Sequence, residues 1–165
     1  MCGQWFALRP SQHAGMGLEQ TAPQPPSPAD EGLVDALVTT SFVTMAVISR
    51  VGAAHELSLS MVRMLGILWD RRPRMTELAT HLGLEKQTLS GLVARAEKRG
   101  LVARVANEDD ARATDVVLTP QGRHLMRRLR GEASRAIMPL LHALDPADRN
   151  ALQALLRQLI QRGPA

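Results

Sequence analysis

Residues 75–119, MTELATHLGLEKQTLSGLVARAEKRGLVARVANEDDARATDVVLT, decide the fold. Three devices follow one another there. Two short helical segments are joined at a glycine, an Arg-Gly-Leu-Val string leaves the second, and a polar loop separates two β-prone runs. That order predicts a helix-turn-helix with a wing, an arrangement that can present one helix to the major groove of DNA.

The spacing carries the first part. Leu78, Ala79, Leu82, Leu84, Leu89 and Leu92 fall where two crossing helices must meet each other and a core. Ala79 is small enough for a close crossing, and Gly83 stands at the turn, where a missing Cβ permits a left-handed backbone. Leu89, Leu92, Val93 and Ala96 recur at i, i+3, i+4 and i+7, which gives the second helix one buried stripe. Gln87, Gly91, Ala94 and Lys98 point the opposite way, with Ser90 and Arg95 on the flanks. On this spacing alone an ordinary helical hairpin with a solvated polar face stays open.

The wing narrows the choice. Leu101–Val105 and Thr114–Thr119 are apolar and β-prone, and Val116 and Leu118 alternate with Val117 and Thr119. The loop between them, ANEDDARA, is rich in turn formers. Arg112 is the cation best placed for a narrow minor groove, where negative potential is concentrated. Asp110 could brace its guanidinium. The alternative is a solvated hairpin with a surface ion pair of little weight.

Residues from about 33 to 162 resemble the MarR family of bacterial winged-helix regulators. The matching strings are LSLSMVRMLGIL, MTELATHLGLEKQTLSGLVARAEKRGLV and EDDARATDVVLTPQG. The last resembles the family's D-x-R-x(4)-L-T-x-x-G pattern through Asp110, Arg112, Leu118, Thr119 and Gly122. The resemblance implies a mostly α fold with a small β-hairpin wing, and a homodimer on a palindromic operator. It also implies a DNA-binding transcriptional regulator, a ligand-responsive repressor. Gly91 stands where many relatives have arginine, and Ala111 where they often have a second basic residue. Both departures imply fewer direct base contacts and more phosphate and shape readout.

Charge is distributed as this reading requires. The 165-residue chain carries a net charge of +4, and residues 71–130 hold 13 Lys/Arg against 7 Asp/Glu. Residues 1–70 hold 3 against 6, so the positive excess sits on the proposed DNA-facing module. There is no tyrosine, with two Phe and two Trp, which argues against the base-stacking platforms of single-strand and RNA binders.

The flanking segments read as a tail and a dimerisation frame. Residues 1–31 hold five of the ten prolines and no helical period, as expected of a disordered tail or of a start site placed too early, with initiation at Met16 or beyond. They lack a signal peptide's basic start and apolar run. Residues 32–165 then form one domain, with the winged helix-turn-helix over about 58–119 and dimerisation helices over 32–56 and 120–162. Residues 36–49 are uncharged but short of the about 20 apolar residues of a membrane span. They read as the buried core of a first helix, with Leu33, Leu37, Phe42, Met45 and Ile48 for packing. Asp145-Pro146-Ala147-Asp148 starts a last helix through an N-cap and a first-turn proline. Its stripe of Leu152, Leu155, Leu156, Leu159 and Ile160 fits packing within one subunit or, with Leu37 and Phe42, across a dimer.

Catalytic and metal chemistry find no footing. His13, His55, His81, His124 and His142 make no metal-binding spacing, and no nucleophile elbow, Walker loop or dinucleotide fingerprint occurs. No cofactor is expected. Cys2 is the only cysteine, which excludes an intramolecular disulfide and suits a reducing cytoplasm. Family resemblance implies a small, often anionic aromatic effector, for which Arg50, His55 and Trp69 are candidates, although a core tryptophan beside surface charges is the simpler account of them. The expected DNA contacts are Lys86, Gln87, Thr88, Ser90, Gly91, Arg95, Lys98 and Arg112, with Gln87, Ser90 and the Gly91 backbone near base edges and Lys86, Thr88, Arg95 and Lys98 on phosphates. A winged-helix module for protein contacts, or a small-molecule scaffold without an operator, are the alternatives.

Overall fold

Four helices in the chain begin at side chains able to cap them, and these caps set the element order. A computed structural model describes residues 27–110 and 112–162. Ser27 opens α1 (Pro28–Ala53): its side chain accepts from the Asp30 backbone N–H, and the Asp30 carboxylate accepts in return from the Ser27 N–H. Ser58 caps α2 (Leu59–Asp70), Thr119 caps α5 (Pro120–Leu141), and Asp145 caps α6 (Pro146–Arg162). The helix-turn-helix is α3 (Met75–Leu82) and α4 (Lys86–Lys98). The wing is an antiparallel pair, β1 (Val102–Ala106) and β2 (Thr114–Leu118), in register Val102 to Leu118 and Ala106 to Thr114.

Gly83 ends α3 in the left-handed region at φ 65°, and the Leu84 N–H closes back on the Ala79 carbonyl at 3.0 Å. A side chain there would strain the turn that aims α4. Around this turn a dry core gathers Met64, Leu65 and Leu68 from α2, Leu78 from α3, Leu89 and Val93 from α4 and Val116 from β2, all fully buried. The helix-turn-helix stripe and the mostly helical fold with a hairpin wing stand as the spacing predicts. The strand limits shift by one residue at most.

Two expectations need correction. Residues 27–31 are not tail but the capped start of α1, because the Ser27–Asp30 box satisfies the first free N–H groups. Residues 1–26, with Met16 and Cys2, lie outside the described residues. The apolar run of α1 is also not a buried core within one chain: Leu33 is 69% and Phe42 63% exposed, and only Val47 and Gly52 are buried. Only the C-terminal part of α1 reaches the core, and elsewhere most of its apolar side chains are exposed among the described residues. At 26 residues, with an 18-residue stretch of mean hydropathy 1.6, α1 is long and apolar enough to cross a membrane by length and composition. It nonetheless packs against α5 and α2. Helix α6 contributes no buried residue, and Leu155 (58%), Leu156 and Leu159 (56%) are exposed.

The joint between wing and α5 explains the Leu-Thr-x-x-Gly string. Leu118 enters the core, and the Thr119 N–H donates to the Leu101 carbonyl at 3.1 Å. The Thr119 hydroxyl donates to the Gly100 carbonyl at 2.6 Å and accepts from the Gly122 N–H at 3.0 Å. Gly122 is thereby pressed against the Leu101 carbonyl, where a Cβ would fall 2.0 Å from the oxygen. Because that neighbour is backbone, it cannot swing away. Gly122→Ala is expected to destabilise the protein by about 3 kcal/mol or more, measured by urea denaturation, at the upper end of overpacking penalties.

Candidate nucleic-acid interface

Helix α4 presents two unlike faces. Leu89, Leu92, Val93 and Ala96 are buried, whereas Lys86, Gln87, Thr88, Ser90, Ala94, Arg95 and Lys98 are exposed and Gly91 is half-buried. The sequence-predicted contacts on this helix therefore share the solvent side, backed by a rigid apolar stripe. Arg95 and Lys98 lie in the last turn, where cations complement the helix dipole.

The wing is fixed to this body by ionic contacts that hydrophobic periodicity does not reveal. Asp115, on β2, is 2% exposed and is the buried charge of the described residues. Its carboxylate accepts from Arg72 Nε at 3.0 Å and from Asn107 Nδ2 at 2.8 Å. Arg72 also donates to the Ala106 carbonyl at 3.0 Å and to Glu108 at 2.6 Å. The Val116 N–H donates to the Pro73 carbonyl, so the α2–α3 loop runs beside β2 like a short third strand. The signal in the sequence is an aspartate at an inward strand position, which demands a cation that spacing alone does not name.

Within the loop, Asn107 Oδ1 accepts from the Asp109 and Asp110 N–H groups, both at 3.0 Å. Asp110 braces Arg112, but through the backbone: its Oδ1 accepts the Arg112 N–H at 3.0 Å, while Oδ2 faces Arg74 at 3.6 Å. The expected guanidinium brace is thus replaced by a turn that leaves the Arg112 side chain exposed. Ala111 lies outside the described residues. On the other strand, Arg104 is held by Glu97 of α4 and donates to the Ser90 carbonyl at 3.4 Å, tying wing to helix.

The three effector candidates do not come together. Trp69 is half-buried under the Arg130 guanidinium, 5.0 Å from its ring centroid. It also lines a cleft of about 390 Å³ with Arg71, Arg72, Val117, Leu118 and Arg123, which neither Arg50 nor His55 enters. His55 instead bonds Glu132 of α5 at 2.8 Å. Beside it, Arg99 at the end of α4 donates to the His55 and Glu56 carbonyls at 3.0 and 2.6 Å. Among the described residues no group of histidine, cysteine and carboxylate side chains could hold a metal ion.

A helix-turn-helix followed by a two-stranded wing and framed by outer helices defines a winged helix-turn-helix protein. Residues 57–113, about a third of the chain, match the family model MarR_2, described as MarR family. It is similar to the HTH-type transcriptional regulator TtmR of Methylorubrum extorquens, 27% identical over 113 residues, covering 68% of this chain and 58% of that protein. The chain spans about half to three fifths of the length of the curated relatives it matches, which include a transcriptional activatory protein and a transcriptional repressor. The crystal structure of RV1404 from Mycobacterium tuberculosis shares the fold at TM-score 0.67 and 23% identity, over 87% of this chain and 100% of that one. So does Bordetella bronchiseptica BpsR, in a structure concerned with regulation of its DNA binding by 6-hydroxynicotinic acid, at TM-score 0.62 and 24% identity, over 82% and 97%.

Two outcomes follow from the ionic contacts. Arg72→Ala removes a charged donor from the buried Asp115 carboxylate and should lower stability by about 1.5–3 kcal/mol by chemical denaturation. The hydrogen bond from His55 holds the Glu132 carboxyl below the usual glutamate range, against the opposing effect of burial. A depressed carboxylate stabilises the fold above its ordinary pKa, and that contribution disappears as pH falls through the depressed value. Glu132→Gln should therefore be less stable than the parent near neutral pH, with the gap closing on acidification. Denaturation curves across a pH series would show it.

Proposed function

We propose that the chain is a sequence-specific, double-stranded-DNA-binding transcriptional regulator that acts as a cytoplasmic homodimer on a palindromic operator. The observation that carries this reading is α4: a polar, cationic, solvent-facing side on a helix whose other side is locked into the core, beside a wing anchored by the ion pair of Arg72 with the buried Asp115 carboxylate. Such a helix can enter a groove without losing its footing.

In this reading α4 of each subunit enters one of two successive major grooves. Gln87, Ser90 and the Gly91 backbone approach base edges, Lys86, Thr88 and Lys98 hold phosphates, and Arg112 enters the flanking minor groove. The uncovered apolar sides of α1 (Leu37, Phe42) and α6 (Leu152, Leu155, Leu156, Leu159) join the two copies, giving the fixed separation that a two-fold operator needs. Regulation is by repression, through exclusion of polymerase. The effector is a small aromatic or anionic compound at the Trp69 cleft, whose lining Trp69 shares with Arg71, Arg72 and Arg123 against one acid, Asp70. It acts by favouring a spacing of the two reading heads that misfits DNA.

An anisotropy titration with duplex from the gene's own intergenic region, alongside sedimentation of the free protein, tests this reading. Expected are a dimer, sequence preference and an affinity that falls steeply with salt. Indifference to every duplex would leave a protein-contact module or a small-molecule scaffold instead. Arg112→Ala should weaken operator binding by about 1–3 kcal/mol if the side chain reads the groove. Unchanged affinity in the same titration would remove that assignment.

A further inference from the structure

On sequence, Arg95 is one phosphate contact among several; the geometry points to a different role, as the base-reading arginine of α4, enabled by the bare backbone of Gly91. This inference rests on α4 being the groove helix and goes beyond that reading by naming a specificity-determining residue and the base it takes.

Side chains on a helix lean toward its N-terminus, so residue i+4 lies over residue i. Arg95 does this over Gly91. A Cβ at position 91 would meet Arg95 Nη1 at 3.5 Å and no other heavy atom within 4 Å outside its own helix backbone. One guanidinium nitrogen therefore lies in ordinary van der Waals contact with the Cβ position at 91, over the turn N-terminal to its own Cα, where a side chain longer than alanine's would contest its place. The N-terminal residues of a recognition helix are the ones that contact base edges. Gly91 gives Arg95 a lane into that half.

The neighbouring arginines are engaged elsewhere. Arg104 is held by Glu97, and Arg99 by the His55 and Glu56 carbonyls. Among the described residues the Arg95 side chain has no hydrogen bond or ion pair, so its fork of donors stays available. A planar guanidinium free on the outward face matches guanine, whose O6 and N7 accept its two parallel N–H groups in the major groove. A lysine in the same place can hold a phosphate but cannot reproduce the fork.

The test begins with selection of an operator from a random duplex library by the full chain. Wild-type affinity should fall about ten- to hundredfold when 7-deazaguanine, which lacks the N7 acceptor, replaces one guanine in each half-site. Arg95→Lys should already show that loss on the natural operator and be indifferent to the replacement, while its binding to unrelated duplex and its salt dependence match the parent. If Arg95→Lys binds the operator as the parent does and stays sensitive to the replacement, the assignment is overturned. It is also overturned if Arg95→Ala weakens every duplex equally with a shallower salt slope, since that marks a phosphate contact and leaves the DNA-binding reading intact. Failure to enrich any sequence, with no duplex bound at low salt, removes the DNA-binding reading and this inference with it.

Discussion

The reading head depends on one dry contact in which α2, α3, α4 and β2 all take part. Met64, Leu65 and Leu68 meet Leu78, Leu89, Val93 and Val116 with essentially no solvent exposure. Burying each of these side chains stabilises the fold by about 1.5–3 kcal/mol relative to leaving it in water. Because close-packed interiors resist small changes of volume, this contact also fixes angles. The outward face of α4 has a defined direction only because its inward face has nowhere else to go.

Electrostatics then places what packing cannot. A two-stranded hairpin alone is marginal in water. Here the Asp115 carboxylate, taken out of solvent, receives Arg72 from the α2–α3 loop and Asn107 from the wing's own turn. A buried charge left unpaired costs far more than it returns, so the pair must stay together and the wing root stays with it. Arg104 and Glu97 repeat the device at lower burial on the other strand. The tip, by contrast, is organised by Asn107 and Asp110 accepting backbone N–H groups, which leaves Arg112 outside.

Most of the fold was legible because its signals are local. Gly83, the stripe Leu89–Leu92–Val93–Ala96 and the cap Asp145 each report on residues within a turn or two of themselves. What escaped was long-range or depended on a missing surface. No period announces that Asp115 will face Arg72, 43 residues away. Leu33 and Phe42 look like core by composition, yet both stay exposed among the described residues. The effector candidates failed to assemble for the same reason: Arg50, His55 and Trp69 were grouped by segment, and the fold gives His55 to Glu132 and Trp69 to Arg130. Along α4 the exposed residues were read correctly, but the route of the Arg95 side chain over Gly91 is a rotamer, which sequence does not state.

The Arg99 bond has an uneven genetic consequence. Its acceptors are the main-chain oxygens of positions 55 and 56, which every amino acid supplies. Drift at those two positions leaves the acceptors in place, whereas the donor at 99 has no substitute of equal reach and fork. The mooring of the α1–α2 corner to the end of α4 therefore makes no demand of its own on the side chains at 55 and 56, and the burden of keeping it falls on a single codon.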